Sequence, residues 1–137
     1  MMKNELESKA EQLLEKCDTL SLASINEQGF PRVCVMGKAK INGYLEIWFS
    51  TGTSSKKTSH FAINPKASVC YYSGGDSVTL VGNVEIVNDT DAKKSLWQDG
   101  WIKHFPKGID DPEYCVIKFS AKEATIYIDD QFETYSY

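Results

Sequence analysis

Asn42-Gly43 is the residue pair that most restricts this chain. Both residues tolerate positive φ, so the pair is a strong signal for a tight turn between antiparallel strands. Runs of β-forming residues flank it, Phe30–Ile41 before and Tyr44–Ser50 after. Two more turn signals, Glu27-Gln28-Gly29 and Gly74-Gly75-Asp76, separate the runs Leu20–Asn26, Ala67–Tyr72 and Ser77–Val87. Tyr114–Phe119 and Ala124–Ile128 read as the last strands. Short strands joined by tight turns pair with their neighbours and tend to close as a barrel or sandwich. The expected fold is therefore mainly β with flanking helices, built on a six- to seven-stranded antiparallel sheet.

Three segments carry a helical pattern instead. Leu6, Ala10, Leu13, Leu14 and Cys17 recur at helical spacing and predict an amphipathic helix over Lys3–Cys17. A second helix is expected from about Ser54 to Ile63, where Asn64-Pro65 stops it. Asp89-Thr90-Asp91 offers an N-cap for a third, running through Leu96 and Trp97. Gly100 to Pro112 reads as loop.

Length and charge set the outer limits. A chain of 137 residues that is 42% hydrophobic fits one domain over residues 1–137 with a sizeable core of its own. The net charge of -4 argues against nucleic acid and anionic membranes as partners. No apolar run approaches the roughly 20 residues of a membrane span. The stretch Met1–Lys16 lacks the apolar centre of a signal peptide. Cys17, Cys34, Cys70 and Cys115 have no CxxC spacing, which points to free thiols in a reducing cytoplasm rather than a metal or redox pair. No metal site is expected. His60 and His104 form no ligand motif and read as packed or solvated.

The chemistry-bearing segment is Thr51-Gly52-Thr53-Ser54-Ser55-Lys56-Lys57. It leaves a strand and opens a helix, where unpaired backbone N–H groups and partial positive charge favour an anion. The Thr51, Ser54 and Ser55 hydroxyls add donors, and Lys56 and Lys57 add charge. The same residues also suit an ordinary serine-capped helix with solvated lysines. Arg32, the only arginine in the chain, favours the anion. Read through the Asn42-Gly43 turn, its strand neighbours the one ending at Thr51. Arg32, Ser55 and Lys57 are then expected to converge on one phosphate.

These residues resemble a known family. Pro31-Arg32-Val33-Cys34-Val35, Phe49-Ser50-Thr51, Ser55-Lys56-Lys57 and Asn64-Pro65 occur in the order of the pyridoxamine 5′-phosphate oxidase-like FMN-binding split barrels. The loop from Trp101 through Phe105-Pro106 and Gly108 to Asp110-Asp111-Pro112 is similar to that of the general stress protein 26 branch. The resemblance implies a split β-barrel and a homodimer with FMN at the subunit interface. It implies that Arg32, Ser55 and Lys57 bind the phosphate with help from Thr51 and Lys56. The main chain of Val33, Cys34, Val35 and Ser50 would face the isoalloxazine ring. Ser77 falls near the pyrimidine edge, and Trp101 and Phe105 would cover the cofactor or pack in the core.

The implied function is an FMN-dependent oxidoreductase working on a small-molecule electron donor and acceptor, its catalytic residues unassigned. A non-enzymatic protein that sequesters FMN or senses redox state is the second reading. A haem- or deazaflavin-binding split barrel is a third. The vitamin B6 oxidase holds its phosphorylated substrate with basic residues near the C-terminus, whereas the tail Asp129–Tyr137 has no arginine or histidine and is acidic. The chain is therefore not expected to be that oxidase. In a turnover assay, pyridoxamine phosphate should not be robustly oxidised; robust oxidation would contradict this reading.

Overall fold

A computed structural model describes residues 3–137; Met1 and Met2, the start of the stretch read for a leader, lie outside the described residues. The order of elements is α1 (Glu5–Lys16), β1 (Thr19–Ile25), β2 (Pro31–Gly37), β3 (Lys40–Asn42), β4 (Glu46–Gly52), α2 (Lys56–Ile63), β5 (Lys66–Ser73), β6 (Asp76–Val87), α3 (Thr90–Leu96), β7 (Tyr114–Ile128) and β8 (Gln131–Ser136). All pairings are antiparallel. Seven strands follow the path β2-β1-β5-β6-β7-β4-β3, and β8 joins β7 off it. The expected mainly β split barrel with three helices is what the chain forms.

Alternation builds the barrel interior. Leu20 and Leu22 of β1, Ile47 and Phe49 of β4, Val78 and Leu80 of β6, and Ile117 and Phe119 of β7 are buried in one cluster. Leu6, Ala10, Leu13 and Leu14 of α1 close one side of it. That helix begins with a reciprocal cap: the Glu7 amide donates to Asn4 Oδ1 at 2.8 Å, and the Asn4 amide donates to Glu7 Oε1 at 3.2 Å. A second core lies on the opposite face of β7, where Leu96, Phe105, Tyr114 and Val116 are buried together. Tyr114 to Ile117 are buried without a break because both faces of β7 are covered.

Three expectations change. The run Phe30–Ile41 is two strands, because the chain switches partners at Lys38-Ala39. The Lys38 amide donates to the Asp18 carbonyl at 3.3 Å and the Ala39 amide to the Trp48 carbonyl at 2.8 Å. Arg32 therefore does not pair towards Thr51; it faces Ser24 on β1. The two final runs are one strand of 15 residues, since β4 lines the first half of one edge of β7 and β8 the second half. The acidic tail is β8, returned by a turn in which Asp129 and Asp130 have φ of 52° and 63°. Tyr137 then donates its hydroxyl to Glu7 Oε2 at 2.5 Å.

β6 and β7 fall out of step at Gly82: Val81 faces Glu123 and Gly82 faces Ala121, so Lys122 is the extra residue. A Cβ at Gly82 would collide with the Ser120 carbonyl and lie 2.8 Å from Ala121 Cα. Both obstacles are backbone, so neither can rotate away. Gly82→Ala is expected to destabilise the fold by more than about 2 kcal/mol, read as the shift of the denaturant midpoint. A change within the scatter of surface substitutions would contradict this.

Candidate functional site

The turn from β4 into α2 is closed by its own main chain. The Gly52 carbonyl accepts from the Ser55 amide at 3.1 Å and from Thr58 Oγ1 at 2.7 Å. Ser55 is the N-cap of α2, with φ −64° and ψ 143°, yet its side chain makes no capping bond. The Thr58 amide donates to the Ser55 carbonyl at 3.1 Å, and the Lys56 and Lys57 amides are the first-turn N–H groups that a helix cannot pair internally. Lys57 Nζ occupies the Ser55 hydroxyl instead, donating to Ser55 Oγ at 2.7 Å and to Thr51 Oγ1 at 3.1 Å. Thr51 is buried and Lys57 half-buried, so this ammonium is held rather than waving in solvent. Lys56 is exposed.

The other half of the turn already holds a carboxylate. Glu113 Oε1 accepts from the Ser54 amide at 2.6 Å and from Thr53 Oγ1 at 2.6 Å, and Oε2 accepts from Ser54 Oγ at 2.5 Å. The Thr53 amide donates to the Glu113 carbonyl at 2.9 Å. β4 and β7 bring the two segments together, Gly52 standing opposite Tyr114. Bonds from the Ser54 hydroxyl, the Thr53 hydroxyl and the Ser54 amide hold the Glu113 carboxyl down to about 2. Ser54 therefore serves Glu113.

Arg32 is carried by β2, whose partner is β1 rather than β4. It stands in register with Ser24. Ser24 Oγ and His60 Nδ1 are 2.9 Å apart, both side chains being buried. His60 follows Lys57 by one helical turn on α2, so the two share a face. β1 thus links Arg32 to the helix that carries Lys57. Arg32 is exposed and has no ion pair among the described residues.

The remaining candidates divide. Val33 and Val35 are 63% and 71% exposed on the outer face of β2, while Cys34 turns half-buried towards the core. β2 ends the strand path, so half of its main-chain groups point to no strand. Ser50 is half-buried opposite Val116. Ser77 stands near the start of β6 beside Tyr127, ten residues and roughly 33 Å along the strand from Val87, which shares Val116 as a neighbour with Ser50. Within one chain it is not brought to the Lys57 cluster. Trp101 is half-buried in the aromatic group of the second core, its ring 5.9 Å from Trp97 and 6.0 Å from Tyr114. Phe105 is buried there as well, so both rings pack within their own chain.

The outer face of the sheet is open and mixes apolar side chains with serines and threonines. Tyr72, Phe132 and the two valines of β2 stand exposed on it or at its rim. A groove of about 490 Å³ beside them is lined by polar and apolar residues, among them Lys16, Asp18, Ser21, Val35, Cys70 and Tyr72. All four cysteines are free thiols. Among the described residues no three His, Cys, Asp or Glu side chains gather as a metal site, and no helix is long and apolar enough to cross a membrane.

Sequence reasoning missed Glu113 and the Ser24–His60 pair. Each depends on a contact between segments distant in the chain, 59 and 36 residues apart. No local signal reports such contacts.

The family model for pyridoxamine 5′-phosphate oxidase matches residues 6–127. Among solved structures, a Clostridium acetobutylicum protein related to general stress protein 26 is 27% identical, with a TM-score of 0.86 over 98% of this chain and 96% of that one. General stress protein 26 of Bacillus anthracis is 21% identical, with a TM-score of 0.79 over 96% of this chain and all of that one. A haem-binding protein of Mycobacterium smegmatis is 14% identical, with a TM-score of 0.78 over 99% of this chain and 60% of that one. The last two likenesses bear on the fold alone. No curated protein matches the chain.

The Glu113 carboxyl is depressed in the folded state, so its contribution is complete above its ordinary value of 4.5 and is lost as pH falls from there towards about 2. Glu113→Gln removes the titrating group. Denaturant unfolding across this window should show a shallower fall in stability for the variant than for the parent. Equal slopes would contradict the clamp.

Proposed function

The chain belongs to the pyridoxamine 5′-phosphate oxidase family, and from that premise we propose that it is a homodimeric FMN-binding flavoprotein acting as an oxidoreductase. The observation that carries the reading is the Lys57 ammonium held between Thr51 and Ser55 at the uncapped start of α2. One fixed cation, two hydroxyls and free N–H groups form a donor set suited to a phosphate. Glu113, from the segment before β7, places a carboxylate on the adjoining donors of this turn, which supports the reading. Arg32 would add a planar, bidentate donor from the neighbouring strand. The donor set thus fits the phosphate of FMN.

The bound flavin supplies hydride or electron transfer at its ring. The chain anchors the phosphate through Ser55, Lys57 and Arg32, with Thr51 and Lys56 assisting. The unpaired edge of β2 at Val33, Cys34 and Val35 offers main-chain donors and acceptors to the ring, and Ser50 is the expected contact on β4. Val33 and Val35 are the exposed apolar side chains of that strand, and a second copy that covers them would account for their exposure. Ser77 and Trp101 would reach the flavin only from a partner subunit or at its margin. A haem-binding reading has less support, because His60 uses Nδ1 on buried Ser24 and His104 is exposed on the surface loop.

The absorption spectrum of the purified protein, with the released cofactor identified by mass, tests the reading directly. Arg32→Ala and Lys57→Ala should each weaken FMN binding by about 1.5–3 kcal/mol, the range of a charge-assisted hydrogen bond. Sedimentation of the same samples should give twice the chain mass of 15.4 kDa. A colourless protein that ignores added FMN, or unchanged affinity in both variants, would overturn the assignment. Reoxidation of the reduced flavin by quinones or nitroaromatics separates an enzyme from a binding protein.

A further inference from the structure

The β4–α2 turn has two halves of different character. Thr51, Ser55 and Lys57 form a half with donors to spare, since Lys57 Nζ has one N–H beyond those given to the two hydroxyls. Thr53 and Ser54 form a half whose donors are all taken. The Ser54 amide, the Thr53 hydroxyl and the Ser54 hydroxyl end on the two oxygens of Glu113 at 2.6, 2.6 and 2.5 Å. The carboxylate lies flat on the strand end: a Cβ at Gly52 would meet Glu113 Cδ at 3.2 Å. No space is left between the turn and the carboxylate for another anion.

We propose that Glu113 determines the ligand specificity of this site, confining it to a terminal phosphate monoester and rejecting a ligand whose phosphate continues into a second phosphate, as in a flavin dinucleotide. The inference rests on the phosphate reading of Thr51, Ser55 and Lys57 given above. A second phosphate is tethered within one bridging oxygen of the first and needs donors of its own. The adjoining donors of the turn are those of Thr53 and Ser54. To use them, the second phosphate must displace Glu113, leaving a carboxylate stripped of three hydrogen bonds beside a new negative charge. Charge-assisted bonds are the strong ones, so this exchange is unfavourable. A monoester makes no such demand, because its oxygens are met by Lys57, Ser55, Arg32 and the first-turn amides. Glu113 thus works as a built-in occupant of the subsite that a diphosphate would need.

The experiment measures the dissociation constants of FMN and FAD by flavin fluorescence for the full-length protein, Glu113→Gln and Glu113→Ala. Thermal melting reports that each variant is folded. The parent should prefer FMN over FAD by at least about tenfold, the equivalent of one charge-assisted hydrogen bond. Glu113→Ala should lower that preference at least about fivefold by tightening FAD. Glu113→Gln keeps the shape and removes the charge; it should lower the preference by a smaller factor and gives the comparison if the alanine variant unfolds. Parent and variants that bind FMN with the same FMN-to-FAD ratio would overturn the role of Glu113 while leaving the phosphate site intact. A parent that binds neither flavin would overturn the phosphate reading, and this inference with it.

Discussion

The pairing of β7 with three partners is the constraint on which the rest of the molecule depends. β6 runs along one edge for nearly its whole length, and the other edge is shared by β4 and β8. Because successive side chains alternate faces, the first half of β7 feeds two cores at once, Ile117 and Phe119 into the barrel and Tyr114 and Val116 into the aromatic cluster. The same pairing sets Gly52 opposite Tyr114 and so delivers Glu113 to the Thr53–Ser54 turn. Barrel, second core and candidate site share one register. A slip of one residue there would turn each of these side chains to the wrong face.

Much of this was legible in the sequence, and the failures have a common physical origin. Strand and helix positions follow from local signals such as Gly43 in its turn at φ 67° and Asp89 capping α3 at Asp91 N. Events that depend on a distant partner carry no local signal. The break at Lys38-Ala39 exists because two main-chain amides choose different strands. The continuity of β7 through Ser120–Glu123 exists because Gly82 lets its partner approach and β8 pairs the far half. The acidic tail likewise shows its charge locally but not its pairing with β7.

The site divides along the same line. Thr51, Ser55 and Lys57 lie within seven residues, so a strand-to-helix turn is enough to place them side by side. Arg32 was assigned a neighbour across the wrong hairpin; its register is with Ser24, and the link to α2 runs through His60. Trp101 and Phe105 stood out as aromatic residues in a loop, and they pack against Trp97 and Tyr114.

The bonds from Ser54 to Glu113 span 59 residues of chain. The Glu113 half of this turn is complete only when β4 has zipped onto β7. An anion bound at Thr51–Lys57 is thermodynamically linked to that closure, adding RT ln(1 + [L]/Kd) to the stability of the native state. On the proposed reading, a bound phosphate and the β4–β7 closure stabilise one another, so added ligand protects the barrel against heat or proteolysis.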